Sequence, residues 1–224
     1  MRNKFGYVGS SAFAALLVSG AAHAAISANV AITGSIVPSP CSVSVDKATV
    51  NVGNIKQETL TDDPLKNHLQ DQPVTITYTC AAATQAYVKF IDNRAGSEGG
   101  DFGSGKLSMF GLGLGNKGKA FGGYQISQVV GAKNTIDGVT GSLIDANPVG
   151  AAWAKSALAT IPLNIKSKNW FSVSAVGSET AGPAKAMTTV MPMVIQVGLN
   201  AKSTIDFSAA TALDGQFTVE LYTL

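Results

Sequence analysis

The chain has 224 residues, 46% hydrophobic and only 13% charged, with a formal charge of +2 and two cysteines. A charge so close to balance, with no dense Lys/Arg cluster, argues against nucleic acid as a partner, while the apolar content is enough for a sizeable core. The low charged fraction is unusual for a freely soluble monomer and fits a surface partly covered by neighbours.

The first element is a leader. Arg2 and Lys4 precede an apolar run over 12–18, small residues follow, and Ala22-His23-Ala24 has the pattern of a cleavage site, so residues 1–24 read as a signal peptide. The run is far short of the roughly 20 apolar residues that cross a bilayer. Removing it takes away Arg2 and Lys4 and leaves fourteen basic against fourteen acidic residues, a formally neutral mature chain.

Residues 25–38 form the next unit. Ile26, Ala28, Val30, Ile32 and Ile36 recur at every second position, with Gly34 in the same phase, so an extended arm presents one apolar edge. Pro38 and Pro40 then discourage a continuous ladder from the arm into the first cysteine strand, leaving the arm free to pair elsewhere. The remaining residues, 39–224, read as one domain. Cys41 and Cys80 in an exported chain are expected to form a single disulfide, the alternative being two buried thiols.

Strand signals continue along the domain. Val43, Val45, Val50 and Val52 flank an Asp46-Lys47 turn, and 74–80 alternates with Val74, Ile76, Tyr78 and Cys80 on one face. Further strands are expected at 87–91, 109–114, 123–130, 158–165, 171–176, 187–199 and 217–221. Helical periodicity is confined to a turn within 60–69 and a short helix at 151–159, while the glycine-rich stretches 94–123 and 131–150 read as long loops. The fold class expected is an all-β sandwich.

Nothing in this pattern marks an enzyme, a cofactor or a metal site. Gly111-Leu112-Gly113-Leu114-Gly115-Asn116-Lys117-Gly118-Lys119-Ala120 contains a GxGxxG match, yet a turn and a strand come after it rather than a phosphate-binding helix, so a hairpin tipped by Asn116-Lys117-Gly118 is expected. His68, the only histidine of the mature chain, sits among Asp62, Asp63, Lys66 and Asp71 in what reads as a solvated loop, and no Gly-x-Ser-x-Gly elbow is present. Glu98 and Asp101 read as solvated carboxylates. Trp153, Trp170, Phe171 and Tyr124 suit core packing better than a sugar platform, and Met187, Met191 and Met193 read as core filling.

Three stretches together carry a resemblance: the arm with Gly34 seven positions before Cys41, the alternating strand ending at Cys80, and the terminal Leu213-Asp214-Gly215-Gln216-Phe217-Thr218-Val219-Glu220-Leu221-Tyr222. The chain resembles subunits of the chaperone–usher fimbriae of Gram-negative bacteria, as a minor or divergent member. That resemblance implies an incomplete immunoglobulin-like sandwich that lacks its last strand, polymerised by donor-strand exchange into an adhesive surface pilus. It implies that Ile26, Ala28, Val30, Ile32, Gly34 and Ile36 are the inserted donor positions. Phe217, Val219, Leu221 and Tyr222 would form the groove edge and chaperone contact, although Tyr222 is out of phase with the other three. The implied partners are neighbouring subunits, a periplasmic chaperone, an outer-membrane usher and a host or surface receptor. A different reading is a self-complete secreted β-sandwich that binds a glycan or host surface and keeps the arm as its own edge strand.

Overall fold

The computed structural model describes residues 40–99, 109–128, 131–146, 152–156 and 170–224. Residues 38–224 form one compact unit. Its strands are β1 (Cys41–Val45), β2 (Gln72–Asp92), β3 (Phe110–Gly111), β4 (Gly122–Gln128), β5 (Asn134–Ile136), β6 (Val139–Ala146), β7 (Ala154–Lys155), β8 (Trp170–Ala175), β9 (Lys185–Leu199) and β10 (Phe217–Thr223), all paired antiparallel. The class is all-β, as the alternating pattern predicts. The only helical pieces among the described residues are short 3-10 turns such as Gln57–Thr59 and Pro64–Lys66.

The organising element is β2, whose 21 residues belong to two faces of the structure. Its first half lies between β1 and β9, and its second half between β10 and β8, with an irregularity between Thr79 and Thr84 where the strand turns from one to the other. One phase of side chains faces inward on both sides of that bend: Val74, Ile76, Tyr78 and Cys80, then Ala86 and Val88. The bend is pinned by polar contacts that the apolar surroundings make strong. Tyr78 Oη lies 3.0 Å from Ser172 Oγ and donates toward the Ala86 carbonyl at 3.2 Å, and Ser172 Oγ donates to that same carbonyl at 2.7 Å. Burial pushes the Tyr78 hydroxyl above its ordinary pKa, so it stays protonated and able to donate.

β2, β8, β6, β5 and β9 hydrogen-bond in succession back to β2, closing one side of the molecule. The core inside is built from Ile76, Val88, Ile126, Leu143, Phe171 and Met191. The disulfide is present: Cys41 and Cys80 are direct cross-strand partners with Cα atoms 4.0 Å apart.

Several elements differ from the sequence expectation. Within the stretch read as a loop from 131 to 150, β5 and β6 form a hairpin around Asp137-Gly138, whose φ values of 48° and 82° give the twist a tight two-residue turn requires. The Asp137 carboxylate accepts from Met187 N and Thr188 N and so anchors that hairpin on β9. Where a short helix was expected at 151–159, Ala154–Lys155 instead pairs with β6. Met187 is 49% exposed rather than buried, whereas Met191 and Met193 are in the core. The strand expected over 158–165 and the arm 25–37 lie outside the described residues.

Candidate functional site: an open apolar groove

Away from the closed side, the described residues leave apolar side chains that pack on the core only partly buried. After β1 the backbone stays free of any strand from 46 to 56, and before β10 it does the same from 205 to 216. Two cavities lie between these banks, of about 530 Å³ and about 1000 Å³, and they share Thr49, Val50, Val52 and Leu213, so they form one groove. Apolar side chains line both banks while only partly buried: Val43, Val45, Val50, Val52 and Ile55 on one, and Ile205, Phe207, Leu213, Phe217 and Val219 on the other. Leu112, Tyr124, Ile195 and Val197 form the floor of the smaller cavity.

The first bank has the chemistry of an edge awaiting a partner. Asp46 N still donates to Thr75 O, but from 47 to 55 the backbone makes no hydrogen bond to other backbone among the described residues; Gly53 N turns instead to the Asn51 side chain at 2.8 Å. Backbone donors and acceptors are strong groups that folded chains normally pair, so a row left open beside apolar side chains suits an added strand.

The second bank is strapped to the body. Arg94 grips Asp214 through two parallel contacts, Nε to Oδ2 at 2.9 Å and Nη2 to Oδ1 at 3.0 Å, while Asp214 N donates to Leu112 O and Asn93 N to Gln216 O. Lys117 Nζ meets Asp206 Oδ2 at 2.8 Å. The Arg94 guanidinium holds the Asp214 carboxyl below the usual carboxylate range, and Lys117 together with Ser208 does the same to Asp206. Gly215 lets this bank press close to the floor: a Cβ there would fall 2.9 Å from Tyr124 Cε1. Tyr124 itself is 3% exposed, and its hydroxyl has no hydrogen-bond partner among the described residues; burial raises its pKa, with nearby Asp92 adding to the effect.

Of the sequence-derived groove residues, Phe217, Val219 and Leu221 turn toward the core, with the Phe217 ring 6.2 Å from both Phe90 and Tyr124. Tyr222 does not join them. Strand alternation turns it to the outer face, where it stacks on Tyr87 at 5.3 Å and donates to Glu220 at 2.7 Å, so it is not a groove-lining residue. The aromatic quartet is likewise split: Phe171 and Tyr124 are buried, but Trp153 and Trp170 are only half-buried, 6.2 Å apart, and pack against Tyr87. The donor positions Ile26 to Ile36 lie outside the described residues.

The glycine-rich decoy forms a hairpin, with Leu114 bridged to Ala120 and a turn at Asn116–Gly118. His68 is exposed and bridges Gly198 through its backbone, and no cluster of three or more His, Cys, Asp or Glu that could hold a metal gathers among the described residues. Sequence reasoning missed the Arg94–Asp214 strap and Tyr124's place in the groove floor. Asp214-Gly215 is a visible turn signal, but its partner 120 residues away is not encoded locally.

No protein-family model and no curated protein matches the chain.

Proposed function

We propose that this chain is a structural subunit of a bacterial surface fimbria, exported through the periplasm and polymerised by donor-strand exchange to support adhesion. In this reading the body is an immunoglobulin-like sandwich without its last strand, and the groove receives the apolar arm 25–37 of a neighbouring subunit. The observation that carries the proposal is the groove itself, bordered by a backbone edge that is unpaired among the described residues and walled by half-buried valines, isoleucines and phenylalanines.

The arm is complementary to it in length and pattern. The bank from 43 to 55 and the arm from 25 to 37 have the same number of residues, each spanning about 40 Å when extended. Four or five arm side chains entering the groove, at about 1.5–3 kcal/mol each on full burial, together with a strand's worth of backbone hydrogen bonds, would hold subunits together without covalent chemistry. Before assembly the same exposed groove needs a temporary occupant, the role assigned to a periplasmic chaperone, with an outer-membrane usher exchanging that occupant for the arm.

A second reading, the self-complete binding module, draws on the aromatic row of half-buried Trp153 and Trp170, buried Tyr87 and exposed Tyr222. Deleting 25–37 separates the two. Donor-strand exchange predicts detergent-resistant polymers on unheated gels from the intact chain. It also predicts an arm-deleted form that stays folded, does not polymerise, and gains melting temperature on adding a synthetic 25–37 peptide. An intact monomer that unfolds without its arm and ignores the peptide would establish the binding module instead.

A further inference from the structure

Exposed apolar side chains gather at the corner where β2 bends. Val139, Val176, Met187 and Leu224 are between 49% and 68% exposed, and the sheet register brings all four to that corner. Thr84 pairs with Ala186 and Gln85 with Lys185, which places Met187 at the bend, opposite the exposed Ala81, Ala82 and Ala83. Asp137, whose carboxylate accepts from Met187 N, opens the turn that ends at Val139. Val176 follows Ala175, whose partner Gly141 is two residues beyond Val139. Leu224 N donates to Gln85 O at 2.9 Å, so the last residue joins the same corner. Single exposed apolar residues are ordinary, but a contiguous group marks a surface that something covers.

What covers it follows from where the arm is attached. Ala81 N donates to Pro40 O at 3.1 Å, so the chain enters the domain at this corner. Between an arm seated up to residue 37 and that anchored carbonyl lie only Pro38, Ser39 and Pro40, which reach at most about 10 Å. A neighbour that holds the arm is therefore kept beside the corner at an effective concentration in the millimolar range, high enough to populate a contact too weak to form between free chains. Resting on the donor-strand reading, we propose that the apolar corner of Val139, Val176, Met187 and Leu224 is a second subunit–subunit contact, packing on the groove rim of the neighbouring copy that has taken up its arm. The same patch meeting itself on another copy would close a two-fold pair, whereas corner on groove rim joins two different surfaces, and such contacts repeat along a filament. Joined by the arm alone, successive domains can swing about a single segment; the corner contact fixes the angle between them.

Met187 reports on the contact in the unaltered chain, because Met109, Met191 and Met193 are buried and, apart from Met1, the chain has no other methionine. Brief peroxide treatment followed by mass spectrometry gives the rate of sulfoxide formation at Met187. In polymers of the full exported chain that rate is expected to be about fivefold or more below the rate in the arm-deleted domain loaded with the synthetic 25–37 peptide, whose groove is filled but whose corner has no neighbour. A Val139→Glu, Val176→Glu double variant is expected to keep the wild-type melting temperature and peptide affinity, since both side chains are exposed and neither lines the groove, while its polymers dissociate about tenfold faster in guanidinium. Equal Met187 oxidation in the polymer and the peptide-loaded domain, or wild-type dissociation rates in the double variant, would overturn the inference. If the double variant does not fold, the Met187 comparison decides alone. Absence of polymers from the wild-type chain would instead overturn the donor-strand reading on which it rests.

Discussion

The closed and the open side of the domain are made of the same kinds of residue and differ only in what surrounds them. On the closed side Phe171, Val173, Ile126 and Leu143 are sealed in the core, and their strands are paired into the run β2-β8-β6-β5-β9 and its β4 flank. On the open side Val50, Val52, Phe217 and Val219 are equally apolar, yet they remain half-buried beside backbone that pairs with nothing described from 47 to 55. Hydrophobicity alone does not separate the sealed core from the open groove. The distinction lies in whether the apolar surface and its backbone edge are completed by the same chain.

The contrast can be broken hardest from the closed side. Phe171→Ala leaves a cavity that cannot collapse easily and is expected to cost about 3–5 kcal/mol, read as a lower urea midpoint. Removing the staple with Cys41→Ala and Cys80→Ala together is expected to cost about 2–4 kcal/mol, since the closed loop spans 39 positions. The open side behaves differently. Val219→Ala should shift the monomer's stability by less than about 1.5 kcal/mol, because its side chain is still partly exposed, yet it should weaken polymers or peptide capture by more than it weakens the monomer. Equal losses in both measurements would mean that the groove is already filled in the monomer.

The smallest effect concerns acid. The folded-state pKa values of Asp214 and Asp206 are lowered, so their contribution is complete above the ordinary carboxylate value of about 4 and is lost as pH falls through the lowered folded values. The melting-temperature advantage of wild type over Asp214→Ala should hold from pH 7 to about 5 and fade only below about 4. Because the Asp214 carboxylate is exposed at the surface, the change should be modest and should shrink in high salt.

Much of this architecture was legible because it rests on local alternation. The inward phase of Val74, Ile76, Tyr78 and Cys80, the long run of β9 and the inward face of β10 come from period two alone. The β5–β6 hairpin was also written locally, as Asp137-Gly138 between Thr135-Ile136 and Val139-Thr140, and was obscured by the glycines around it. The site was less legible for two reasons. Val50 and Val52 alternate as a strand does, but no periodicity reveals that their backbone pairs with no other backbone among the described residues. The Arg94–Asp214 grip and the burial of Tyr124 depend on residues distant in sequence, where composition and spacing carry no information.

The double membership of β2 has a mechanical consequence. A pull on the chain at Pro40 enters β1 and crosses at once through Cys41–Cys80 into the first half of β2, while a pull on β10 enters the second half of the same strand through the ladder from Phe217–Asp92 to Thr223–Ala86. Tension applied between these two points is carried along a single strand, with one covalent link, and need not pass through the hairpins of the closed side. β2 is thus placed to act as the tendon of the domain.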